Sequence, residues 1–178
     1  MTSEIGKSLL PIGEELDFNG RALQINKYIG EGFTGVVYEG SLEVLDAPVR
    51  VAVKAMKPLD IPEAVERFKQ EGITLTFLME MEKEANKRQQ IPLKIAPVYY
   101  GMSKYDDTDY IVMEFVEGIQ LPDLLVREHH LSEEDALTIA WHFYRILDIL
   151  IPKYTSLLWT LNLRIYGGSR TRINKMVI

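Results

Sequence analysis

Residues 29–37 read Ile-Gly-Glu-Gly-Phe-Thr-Gly-Val-Val, and the residues after the third glycine decide the fold. Glycines in the order G-x-G-x-x-G occur both in loops that open a helix and in loops that join two strands. Here Val36, Val37 and Tyr38 continue as a run of β-branched and aromatic residues, so Gly30, Gly32 and Gly35 belong to a hairpin between strands. Such a loop can lay its amides over phosphate oxygens, and glycine admits close approach because no Cβ stands in the way. An ordinary β-turn fits the same residues, so the loop by itself leaves both readings open.

Outward from the loop, residues 23–29, 36–44 and 49–56 carry strand patterns and form a meander, with glycines in the first turn and Asp-Ala-Pro in the second. Pro62 then opens a helix whose Val65, Phe68, Leu75, Leu78, Met79 and Glu82 follow helical spacing, and the pattern runs on through residues 81–90. Pro92 and Pro97 flank a return to strand at residues 95–102, and a polar turn at 104–109 leads to a fifth strand at 110–115. From Gly118 the period turns helical: a short helix in residues 121–130, then a longer one opened by Ser132. Asp135, three residues on, completes a capping box. Leu137, Ala140, Trp141, Tyr144, Leu147 and Ile151 form its apolar stripe. Beyond Pro152 no period is visible and no element is assigned.

Strand three holds the second decisive feature, Val51-Ala52-Val53-Lys54. A lysine among apolar residues on a central strand is costly to bury unless a counter-charge meets it. Glu71, on the following helix, is placed to face that strand and supply one. Alone, Lys54 reads as a snorkelling surface lysine and Glu71 as part of a solvated helix face. In this order, downstream of the glycine loop, the two read as a pair.

Composition narrows the rest. A chain of 178 residues, 47% hydrophobic and 26% charged, buries one good core and part of a second. A net charge of -6 argues against a nucleic-acid or anionic-membrane surface. The absence of cysteine excludes disulfides and thiolate chemistry and suits a cytoplasmic protein. The acidic start has no signal-peptide character, and no apolar run reaches membrane-spanning length. His129, His130 and His142 lack a third ligand at metal spacing, and residues 106–109 lack the glycine and closing glutamate of a calcium loop, so no metal site is expected.

The third feature is residues 110–118, Tyr-Ile-Val-Met-Glu-Phe-Val-Glu-Gly. Together with the glycine loop, the V-A-V-K strand and the helical glutamate, in that order, it resembles the eukaryotic-type serine/threonine protein kinase family over roughly residues 23–151. The resemblance implies an α+β, protein-kinase-like fold: a five-stranded antiparallel small-lobe sheet with one long helix, then an incomplete helical large lobe. Its divisions are an extension at 1–22, the small lobe at 23–116, the first large-lobe helices at 117–153 and an irregular tail at 154–178. It implies ATP as the ligand, with magnesium in the intact family member and no ligands for it found in this sequence. Gly30, Gly32, Phe33, Thr34 and Gly35 would cover the phosphates. Ile29, Val37 and Ala52 would enclose the base. Met113 would be the gatekeeper, with the Glu114 carbonyl and the Val116 amide on the adenine. Lys54 and Glu71 would be the catalytic pair. In the family the helix from Ser132 packs against the rest of the large lobe, so where that cover is missing either self-association through residues 132–151 or cover by residues 157–165 folded back over the helix is expected.

The same resemblance requires an H-R-D-x-K-x-x-N loop and a D-F-G after that helix, and neither is present; no aspartate or glutamate follows Pro152 at all. The codons suggest a reason. Read from the last base of the Trp159 codon, the next triplet must encode aspartate, and allowed codons for residues 161–168 can continue it as D-F-K-F-E-N-I-W-W, which contains D-x-K-x-x-N. A frameshifted or mis-predicted kinase reading frame is therefore expected in preference to a natural divergent tail, with phosphorylation of protein serine and threonine in the intact family member and none from this chain. The alternative is a nucleotide-binding or scaffolding pseudokinase.

Overall fold

The computed structural model describes residues 9–58, 61–87 and 92–165, with side chains described as far as residue 151. The end of the tail at residues 166–178 lies outside this range, including the last three positions of the shifted-frame reading. The chain divides into two compact units, residues 1–127 and 128–178.

The first unit is built on an antiparallel sheet of six strands, β1 (Glu15–Asp17), β2 (Ala22–Glu31), β3 (Gly35–Val44), β4 (Ala47–Met56), β5 (Tyr99–Tyr105) and β6 (Thr108–Glu114), in the order β1-β2-β3-β4-β6-β5. Five strands were expected; the sixth, β1, lies in the segment set apart as an extension. Three residues are too few to show alternation, but Leu16 is buried between exposed Glu15 and Asp17, and Leu10 and Phe18 are fully buried beside it. The turn into β2 is Asn19-Gly20, both at positive φ, with Phe18 and Arg21 exchanging backbone hydrogen bonds across it. That dipeptide is a strong hairpin signal in its own right.

Alternation sorts the sheet into two faces. Tyr38, Leu42, Val51, Val53, Ala55, Tyr110 and Val112 make one buried core with Leu10, Leu16, Phe18, Leu23 and Ile25. The opposite face carries Val37, Ala52, Lys54 and Met113, each half-buried. The β3–β4 turn sits at Leu45-Asp46, both at positive φ, and the expected Ala-Pro turn residues are instead the first two of β4.

Helix α1 (Pro62–Asn86) begins at proline as expected and buries Ala64, Phe68, Gly72 and Met81. The anticipated stripe faces inward, with Phe68 buried and Val65, Leu75, Leu78, Met79 and Glu82 half-buried. Gly72 adds a close approach to β5: a Cβ there would meet the Tyr99 hydroxyl at 2.8 Å. The helix stops short of residue 90, and residues 88–91 lie outside the description. Strand β5 starts at Tyr99, later than the expected residue 95. The helix end holds the intervening backbone away from the sheet: Leu93 N donates to Asn86 Oδ1 at 2.7 Å, Ile95 N donates to Glu82 Oε2 at 2.6 Å, and Pro97 has no N–H to offer. Helix α2 (Leu121–Glu128) follows β6.

The second unit contains α3 (Glu133–Ile165). Ser132 caps it as anticipated: Asp135 N donates to Ser132 Oγ at 3.0 Å, and Ser132 Oγ donates to the Asp135 carboxylate at 2.6 Å. The helix continues through Pro152 to Ile165, so the backbone of residues 154–165 is not irregular. Pro152 removes one helical hydrogen bond, a cost of about 3 kcal/mol. Residues 153–165 hold four leucines and no glycine, which favours helical dihedrals beyond it. Among the described residues no helix is long and apolar enough to cross a membrane.

Candidate nucleotide site

The glycine loop joins β2 to β3 as the sequence implied. Gly32 N donates to Gly35 O at 2.8 Å, closing the hairpin, and Lys57 N donates to the Thr34 carbonyl at 3.0 Å, tying the loop to the end of β4. Lys57 also pairs with Glu31 at 2.9 Å. The three glycines differ in what constrains them. A Cβ on Gly35 would strike the Ala55 carbonyl oxygen at 2.6 Å, so Gly35 is required by the sheet. At Gly30 and Gly32 a Cβ would meet nothing within 4 Å. Nothing in the chain's own packing demands glycine there, and the open space is what a phosphate needs. Phe33 is exposed at the loop tip, and Ile29 is exposed in a β2 irregularity between Tyr28 and Gly30.

Strand register gathers the other predicted residues into alternate cross-strand rows, which share one face of the sheet. Gly30 faces Val37, Val37 faces Lys54 and Lys54 faces Ile111. In the next row Glu39 faces Ala52, Ala52 faces Met113 and Met113 faces Tyr99. Neighbouring strands lie about 4.8 Å apart, so the first row places Gly30 and Lys54 about 10 Å apart across the sheet. Val37, Ala52, Lys54 and Met113 thus share the face opposite the main core.

Lys54 Nζ donates to Glu71 Oε2 at 2.5 Å and lies 5.8 Å from the centre of the buried Phe68 ring. Side-chain exposure is 17% for Lys54 and 32% for Glu71. The ammonium is therefore largely desolvated, and the counter-charge expected from α1 is what permits it. A lysine so held keeps two further N–H donors for a phosphate.

The segment after β6 is anchored on one side and open on the other. Glu114 N donates to the Val98 carbonyl at 2.8 Å, while the Glu114 carboxylate accepts from Val98 N at 2.8 Å and from Lys94 at 2.8 Å. Lys94, and next the Val98 amide, hold that carboxyl below its ordinary range. Sequence reasoning used only the Glu114 carbonyl and missed this. Val116 is exposed, and its amide has no backbone partner among the described residues.

Sequence reasoning also missed Arg50, Glu39 and Gly72. Period-two counting back from Lys54 through Ala52 reaches Arg50 on the same face. Among the described residues no group of three or more His, Asp or Glu side chains is placed to hold a metal ion. His129 lies in a left-handed turn, and Asp106 and Asp107 make the β5–β6 hairpin turn.

Comparison with known proteins agrees with this fold. The family model described as protein tyrosine and serine/threonine kinase matches residues 23–150. The chain is 33% identical over 138 residues to spermatocyte protein spe-8 of Caenorhabditis elegans and 32% identical over 143 residues to that of Caenorhabditis briggsae, covering 76% and 79% of this chain. It spans 25% of the length of each relative. Among solved structures, the BubR1 kinase domain aligns over 82% of this chain and 41% of its own with a TM-score of 0.50 at 16% identity. The Mycobacterium tuberculosis PknI kinase domain aligns over 79% of this chain and 50% of its own with a TM-score of 0.50 at 21% identity. At those identities the likeness is one of fold.

Proposed function

The chain belongs to the protein tyrosine and serine/threonine kinase family, and we propose that residues 23–116 bind ATP on the sheet face that carries Val37, Ala52 and Lys54. The observation that carries this reading is the Lys54–Glu71 ion pair, half-enclosed beside a glycine hairpin whose first two glycines face open space. Lys54 would grip the α- and β-phosphates while Glu71 fixes it. The amides of residues 30–35 would cover the phosphates. Ile29, Val37 and Ala52 would enclose the adenine beside Met113, and the Glu114 carbonyl and Val116 amide would meet its edge. The residues present suit the nucleotide: donors where phosphate charge falls, apolar half-buried groups where the base falls, and an amide without a partner at its rim.

The activity proposed for the intact family member is ATP-dependent phosphorylation of protein serine or threonine in the cytoplasm, the hydroxyl class resting on the sequence resemblance. Phosphoamino-acid analysis of its products separates this from tyrosine. In this chain no acidic residue follows Pro152, so it carries no aspartate to orient a hydroxyl and no late carboxylate for magnesium. That observation favours a second reading for the chain by itself, a nucleotide-binding or scaffolding pseudokinase. Titration calorimetry with ATP, with and without magnesium, tests both. Weak binding that magnesium barely alters is expected; no heat at any concentration would remove the nucleotide reading, and a large magnesium gain would reveal a metal site elsewhere in the chain.

A further inference from the structure

Arg50 lies on β4, on the same face as Ala52 and Lys54, and its guanidinium, partly exposed, meets three side chains. Nε and Nη2 donate to the two carboxylate oxygens of Glu39 on β3, each at 2.9 Å. Nη1 donates to Glu117 Oε1. The guanidinium plane lies over the Phe115 ring, 3.8 Å from its centre. Glu39 in turn pairs with Lys27 of β2 at 3.1 Å. One side chain therefore joins two sheet strands to the residues on either side of Val116.

A fork of this kind fixes direction as well as distance, because the planar guanidinium meets a carboxylate bidentately while its face remains free to stack. Glu39 faces Ala52 directly across the β3–β4 ladder, so the anchor adjoins the proposed base-binding row. The Arg50 guanidinium, then Lys27, hold the Glu39 carboxyl near 2, so it stays ionised throughout the physiological range. Val116 is exposed and its amide unpaired among the described residues, so nothing on the residue itself fixes the direction of that N–H.

We propose that Arg50 is a positioning residue which, by holding Phe115 and Glu117 against the sheet, presents the Val116 amide to an adenine edge. The inference rests on the nucleotide reading above for its ligand, but the bracing itself is a property of the ligand-free chain. Preorganising a polar contact raises affinity by removing the ordering cost at the moment of binding. Arg50 touches neither base nor phosphate in this arrangement, so its effect is confined to recognition of the base.

The test uses the full chain with Arg50→Met, Glu117→Gln and Arg50→Lys. Backbone amide relaxation of the ligand-free protein is expected to show residues 115–117 as ordered in the wild type, with order parameters falling below roughly 0.6 in Arg50→Met. Affinity is then compared among ATP, inosine triphosphate, whose N1 carries a proton and cannot accept from the Val116 amide, and inorganic tripolyphosphate. The preference for ATP over inosine triphosphate should shrink by about tenfold in Arg50→Met, less in Glu117→Gln, and be partly restored by Arg50→Lys, with tripolyphosphate affinity unchanged. A variant that had merely lost its fold would lose tripolyphosphate binding as well. Order at residues 115–117 indifferent to Arg50 would overturn this inference while leaving the nucleotide reading intact. A wild type that binds tripolyphosphate but does not distinguish the two nucleotides, with Arg50-dependent order at 115–117, would overturn the base-recognition reading and leave the brace.

Discussion

The hydroxyl of Tyr99 on β5 occupies the space into which a side chain at Gly72 on α1 would project, 2.8 Å from the ideal Cβ position. Gly72 is thus a point of close approach between α1 and the side chains of β5, and it immediately follows the glutamate that meets Lys54.

Gly72→Ala sets two effects against each other. Alanine in a helix interior is worth about 1 kcal/mol over glycine, whereas overpacking a close contact costs about 1–3 kcal/mol. We expect a net loss of about 1 kcal/mol and weaker nucleotide binding, because α1 must withdraw and take Glu71 with it. Gly72→Ala combined with Tyr99→Phe removes the nearest atom and should recover most of that loss, measured by urea denaturation. A single variant more stable than wild type would show that Tyr99 yields freely and that the helix position is set elsewhere.

Replacing one partner of the Lys54–Glu71 pair should leave the other half-buried and uncompensated. Lys54→Met is expected to cost about 1–2 kcal/mol of stability and to abolish ATP binding, while Glu71→Gln, which still accepts a hydrogen bond from Lys54, should weaken binding without abolishing it. Calorimetry on both variants checks the order. Equal affinities in wild type and Lys54→Met would remove Lys54 from the site.

At the β3–β4 turn, Leu45 is 95% exposed and holds φ at 51°, a left-handed conformation that side chains with a Cβ adopt at a cost of about 1–2 kcal/mol. Asparagine tolerates it far better, and both turn residues here have the positive φ of a type I′ hairpin. Leu45→Asn should raise stability by about 0.5–1 kcal/mol with no change in ligand binding. An unchanged urea midpoint would argue that the leucine makes a compensating contact.

Acid should loosen the Arg50 brace. Arg50, and next Lys27, lower the Glu39 carboxyl from 4.5 to about 2. Its folded value is therefore below the unfolded one, and on acidification the unfolded chain takes up that proton first. The stabilisation is present above 4.5 and fades as pH falls towards 2. Glu114, lowered by Lys94, adds to the same limb. Glu39→Gln should flatten the dependence of the urea midpoint on pH across that range, and added salt should mute it in the wild type. An acid limb identical in the variant would mean that Glu39 is not responsible.

The decisive parts of the fold were legible because they rest on local patterns. The glycine hairpin, the V-A-V-K strand, Pro62 at the start of α1 and the Ser132 cap each declare themselves within a few residues. What escaped depends on distant partners. Strand β1 is three residues long and identifiable only from its pairing with β2, although Asn19-Gly20 advertised the turn. The close approach of α1 at Gly72 has its reason on Tyr99, twenty-seven residues away. The late start of β5 followed from carboxylate and amide side chains of α1 that capture the backbone of residues 93–96. Period two could place Arg50 on the face of Lys54, but not name its partners, which are contributed by β3 and by the segment beyond β6.

On α3, Leu137, Trp141, Tyr144, Leu147 and Ile151 recur at three- and four-residue intervals and are all exposed, with Trp141 and Tyr144 stacked 5.6 Å apart. Two arrangements were open from the sequence: burial of this stripe against a second copy, or cover by residues 157–165 folded back over it. The second does not match the described backbone, because those residues continue the same helix through Ile165 and a continuous helix cannot double back on its own earlier turns. An apolar stripe along three or four helical turns is large enough to drive association in water. Antiparallel pairing of two α3 helices would bury it at both ends and stack the aromatic pair of each copy on the other. Light scattering across a concentration series should therefore show the chain growing from monomer to dimer or beyond, with Trp141→Glu and Leu147→Glu each shifting the balance back to monomer. A wild-type chain that remains monomeric at every concentration would sink the prediction.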